Sequence, residues 1–163
     1  MKIRSLLFIA ILLNCLQAIS QNTVLGKWKP VFLTLDKIIT ADIKADTVFV
    51  SGDLDIAFKD DKDPEGSKEL MQMMAGLMLQ KMKVTEQEFL KSGEYIEKNT
   101  KRGTVTNGTY TFNASTGILI ITSRDKPQQF AVTFKNDHLV LTGQLESSSG
   151  KKGAMLIEYE KLQ

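Results

Sequence analysis

From about residue 105 onward the chain alternates apolar and polar residues in short runs, broken at regular intervals by turn chemistry. That pattern confines it to an antiparallel β architecture. Gly108-Thr109-Tyr110-Thr111-Phe112 places Tyr110 and Phe112 on one side. Ser115-Thr116-Gly117 makes a turn, and Ile118 to Thr122 follows as a strand that is apolar on both faces. After Pro127, the residues Phe130, Val132 and Phe134 share a face. Lys135-Asn136-Asp137-His138 is turn chemistry, from which Leu139-Val140-Leu141 returns antiparallel. A polar loop, Ser147 to Gly153, precedes a last strand with Met155, Ile157 and Tyr159 on one side.

Upstream, Val84 to Leu90 and Glu94 to Glu97 flank Ser92-Gly93. Thr85 followed by Glu88 fits the capping box of a short helix. The preferred reading is a hairpin turning at Ser92-Gly93 that packs Phe89 near Tyr95, because β-rich segments follow at once. Val24 to Lys29 reads as a strand that Pro30 limits to an edge or a bend. Thr47 to Val50 and Leu54 to Phe58 are shorter strand-like patches. Strands are expected near 25–34, 84–91, 94–98, 105–113, 117–122, 129–135, 138–145 and 153–161. About eight strands suffice for an up-and-down barrel that holds side chains or one small ligand. One domain over residues 21–163 is expected.

One segment breaks the period. Residues 69–82 carry five of the seven methionines. On a helix over 67–82, Leu70, Met71, Met73, Met74, Leu77, Met78 and Met82 fall on one broad apolar arc. Asp63 before Pro64 supplies an N-cap and a first-turn proline. Such a helix either packs on the sheet as core or serves as a lid, where methionine's adaptable side chain suits variable apolar partners. An interfacial helix lying on lipid is a third use, although the polar face mixes charges of both signs.

At the N-terminus, Lys2 and Arg4 precede the apolar run Leu6 to Leu13, which is too short for a membrane span of about 20 residues. This reads as a signal peptide over residues 1–20, with Ala18 and Ser20 directing cleavage before Gln21. The expected location is secreted or periplasmic. Cys15 offers the competing reading of an outer-membrane lipoprotein tethered through a lipidated cysteine. Cleavage after Ser20 leaves 143 of 163 residues, no cysteine, and 19 basic against 19 acidic residues. Disulfides and thiolate metal ligands are thereby excluded from the mature chain, and the charge balance argues against nucleic acid as a partner.

Gly26-Lys27-Trp28 resembles the Gly-x-Trp signature of lipocalins, and Gly108-Thr109-Tyr110 leading to the Met155 to Tyr159 strand looks like small bacterial lipocalin-like domains. The resemblance implies an up-and-down barrel with Trp28 closing one end. It also implies non-catalytic binding of a small apolar molecule or lipid, with no cofactor. The expected ligand-binding residues are Trp28, Met74, Met78, Tyr110, Phe112, Phe130, Val132, Phe134, Leu139, Leu141, Met155 and Ile157. Which strand parity faces inward stays open, since a one-residue shift exchanges the faces. The alternative function is a structural or interaction module of the cell envelope with a filled barrel.

Other chemistry is weakly signalled. Asp61 to Gly66 imitates the start of an EF-hand loop, but Glu65 and Gln72 stand where short and closing ligands belong. His138, the one histidine, has no patterned partner for catalysis or for a metal.

Overall fold

The computed structural model describes residues 23–51, 63–146 and 152–163. The expected signal peptide with its expected cleavage site before Gln21, Cys15, the patch Leu54 to Phe58 and the loop 147–151 lie outside the described residues. In chain order the elements are β1 (Gly26–Leu35), β2 (Ile39–Asp42), β3 (Thr47–Val50), α1 (Pro64–Lys83), β4 (Thr85–Phe89) and β5 (Glu94–Asn99). They continue as β6 (Val105–Asn113), β7 (Ile118–Ser123), β8 (Lys126–Lys135), β9 (His138–Glu146) and β10 (Lys152–Lys161). Strands β4 to β10 pair sequentially and antiparallel, β4 pairs with β1, and β10 returns to β1. The result is a closed barrel of eight strands, with β2 and β3 as an appended hairpin on β1.

The turns are set by local chemistry. Two-residue connections join β7 to β8 through Arg124-Asp125 and β8 to β9 through Asn136-Asp137, all four residues at positive φ. That geometry matches the right-handed twist of the flanking strands. The segment after α1 is the expected hairpin. Phe89 pairs with Tyr95, their rings 5.4 Å apart, and Gly93 takes a φ of 87° in the turn.

Parity is now fixed. Leu119 and Ile121, Leu139 and Leu141, and Met155, Ile157 and Tyr159 are buried and join one core with Trp28, Phe89 and Tyr95. Phe130 belongs to this core, and Val132 and Phe134 pack against it. Opposite Phe130, position 143 is glycine, where an added Cβ would lie 2.7 Å from the ring. In β1, a register shift between Pro30 and Phe32 places both Trp28 and Leu33 in the core although they are an odd number of residues apart. Such a bulge turns the strand's facing by one residue, and Pro30 sits where the ladder is already interrupted.

Helix α1 begins as expected. The Asp63 carboxylate accepts a hydrogen bond from Gly66 N at 3.1 Å, with Pro64 in the first turn. The carboxylate that sequence placed in an EF-hand-like loop is therefore used as a cap. The helix rests on β3 and β2, with Ala75 (1% exposed) and Leu79 (5%) buried. The hairpin is too narrow to cover the whole apolar arc, so Leu70, Met73, Met74 and Leu77 are exposed.

Candidate functional site

One end of the barrel is plugged. The Trp28 indole donates from Nε1 to Val24 O at 2.7 Å, and Lys161 Nζ lies 5.4 Å from the centre of the ring. Such a cation over an indole face adds electrostatic attraction to the packing. Beside it, Phe89 meets Tyr110 edge-on at 5.0 Å, and the Tyr110 hydroxyl donates to Leu90 O at 2.8 Å. Leu90 lies in the turn region between β4 and β5, so this bond ties β6 to the plug.

Toward the other end the barrel is hollow. A cavity of about 470 Å³ opens where β7 turns into β8 and where α1 hands over to β4. This lies within the usual range for small-molecule sites. Its floor and wall are formed by Tyr95, Ile121, Phe130, Leu141, Met155 and Ile157. Above them the lining turns polar, with Thr85, Gln87, Glu97, Thr106 and Ser123 on the inward faces of β4 to β7. The mouth carries Lys81 and Met82 from the last turn of α1, Arg124 from the β7–β8 turn, and Lys126 and Gln128 from the start of β8.

Two phenols stand inside. The Tyr95 hydroxyl donates to Glu97 Oε2 at 3.3 Å. Burial pushes its pKa far above the ordinary tyrosine value, and the Glu97 charge adds to this. Burial likewise raises Tyr159, partly offset by the Gln87 side chain beside its hydroxyl. Both phenols are therefore neutral at any physiological pH. Gln87 lines the cavity, and its buried Oε1 has no hydrogen-bond partner among the described residues. An unsatisfied buried acceptor costs roughly 1–3 kcal/mol, and turning the amide over lets the Tyr159 hydroxyl beside it donate to that oxygen.

Of the twelve residues singled out from sequence, Phe130, Leu141, Met155 and Ile157 line this cavity. Tyr110, Phe112, Val132, Phe134 and Leu139 belong to the core or pack against it without reaching the lining, and Trp28 forms part of the plug. Met78 packs against the core from α1, whereas Met74 is 55% exposed and does not line the cavity. Sequence reasoning passed over the polar members because it sought a uniformly apolar wall. The signal was nevertheless present: Gln128 and Lys126 share the parity of Phe130, and Ser123 shares that of Ile121.

His138 lies on the outer face of β9, where Nδ1 meets Glu158 Oε1. Among the described residues, no group of three or more His, Cys, Asp or Glu converges as a metal site.

No family model matches the chain, and no curated protein matches it. Among solved structures, it is similar to a DUF4847-family protein from Bacteroides vulgatus ATCC 8482. The two share 11% sequence identity at a TM-score of 0.45, over 85% of this chain and 96% of that one.

Proposed function

We propose that this chain binds a small, largely apolar molecule or lipid non-covalently inside the barrel, as a lipocalin-like carrier, with the last turn of α1 over part of the mouth. The observation that carries the reading is the cavity of about 470 Å³, plugged at the aromatic end and open at the other. A barrel packed solid by its own side chains would have no such space. The N-terminal pattern of Lys2, Arg4 and Leu6 to Leu13 supports a secreted or periplasmic setting. Cys15 keeps an outer-membrane tether as the alternative. No helix among the described residues is long and apolar enough to cross a membrane.

The test is uptake of an environment-sensitive apolar fluorophore by the folded protein. Met155→Trp fills the hollow from β10 and is expected to reduce uptake at least tenfold while circular dichroism stays β-rich. Overpacking of this kind costs about 1–3 kcal/mol, so Leu141→Phe serves as a milder variant with the same expected direction. Undiminished uptake by both folded variants would sink the proposal.

A second reading, a cell-envelope interaction module, is favoured by one observation. Leu70, Met73, Met74 and Leu77 form an exposed apolar stripe on α1, and contiguous exposed apolar surface is what a contact with another molecule covers. Absence of uptake by the unmodified protein would favour this reading.

A further inference from the structure

The exposed stripe on α1 is symmetric about its own midpoint. Leu70 and Leu77 stand equally far from the Met73–Met74 junction, and all four side chains are more than half exposed, from 53% to 64%. Their spacing of three and four residues sets them on one face of the helix. One turn beyond each leucine, the same row holds Gly66 at the start and Lys81 at the end. Glu69, exposed beside Leu70, and the exposed Lys81 enter no ion pair among the described residues. Lys68 and Lys83 are already held by Glu65 and Asp46.

A surface that meets a copy of itself across a two-fold axis has to be self-complementary. Turned end for end about the Met73–Met74 junction, this stripe meets that condition. Leu70 then faces Leu77 of the second copy, and Met73 faces Met74 of the second copy. Lys81 passes over Gly66 of the second copy, which has no side chain to block it, toward the flank that carries Glu69 of the second copy. A lipid surface favours a lysine-rich flank over one with a free carboxylate.

We propose that α1 docks against α1 of a second copy in an antiparallel, two-fold symmetric pair centred between Met73 and Met74. The proposal rests on the contact reading of the stripe, names its partner, and is separate from the cavity. Four apolar side chains are few beside a standard interface of about 20–30 residues a side, so the dimer is weak, with a dissociation constant on the order of 10–100 µM. Methionine at the centre suits such a contact, since its unbranched side chain adapts to a neighbour.

Sedimentation velocity of the intact protein from about 5 to about 500 µM tests this, and a reversible monomer–dimer equilibrium is the expected result. Met74→Lys sets a charge against Met73 of the second copy and should weaken dimerisation by roughly tenfold or more. Leu77→Lys is the second variant with the same expected effect, and circular dichroism checks that both stay folded. Glu69→Lys and Lys81→Glu should each weaken the dimer about fivefold, and the two changes together should restore it, because the pair re-forms with its signs exchanged. A monomer at every concentration overturns the proposal and leaves the cavity reading standing, since none of the four side chains lines the hollow. A dimer that the folded lysine variants leave intact overturns the surface. A double charge exchange that fails to restore dimerisation overturns the antiparallel arrangement.

Discussion

Tyr159 is fully enclosed between the plug and the cavity, and its environment has a measurable consequence. Its phenol, like that of Tyr95, is harder to ionise in the folded barrel than in an open chain, chiefly through burial. A raised acid pKa in the native state stabilises the fold at pH values below the unfolded value of about 10, and that stabilisation is lost progressively as pH rises above it. Melting temperature is therefore expected to hold up to about pH 10 and then fall. Tyr159 alone contributes a slope of about 1.4 kcal/mol per pH unit in that window. Tyr159→Phe should lower stability at neutral pH and flatten the alkaline slope, and an unchanged slope would contradict the assignment. At this scale the sequence was half legible. Phe130, Leu141, Met155 and Ile157 announce themselves by alternation. Gln87, Glu97 and Arg124 do not, because polar side chains facing a cavity look like solvent-facing ones until register is known.

Among the elements, α1 shows how propensity and packing divide the work. Its start is written in Asp63-Pro64, and the cap bond to Gly66 N is present as those residues require. Asp63→Ala is expected to cost about 1 kcal/mol, seen as a melting temperature lower by a few degrees. No change would mean that the hairpin alone fixes the helix. The helix's placement was less legible than its existence. The methionine arc implied one wide buried face, but the surface beneath it is only two four-residue strands, and Ala75 and Leu79 suffice to meet them. The β4–β5 hairpin went the other way: Ser92-Gly93 and the Phe89 and Tyr95 pair pointed to it correctly against a competing helix signal. The bulge in β1 had only Pro30 as a herald, since a register shift depends on partners far away in sequence.

For the molecule as a whole, the eight expected strand regions all fall on barrel strands, and the pairing of β10 with β1 closes them. What no local pattern contains is the unequal strength of the seams. β1 and β10 match over Trp28 to Leu35, and β9 and β10 over Lys152 to Tyr159. β1 meets β4 only through Gly26, Lys27 and Trp28. Hydrogen exchange is accordingly expected to be fastest, among barrel strands, at β4 amides, with β9 and β10 best protected. Uniform protection around the barrel would contradict this order. Past Trp28, β1 leaves β4 and takes up β2 from Phe32 onward, so Thr85, which lines the cavity from β4, has no ladder partner on β1. On the binding reading proposed above, the short β1–β4 seam is the place where a guest would enter with every long ladder still paired.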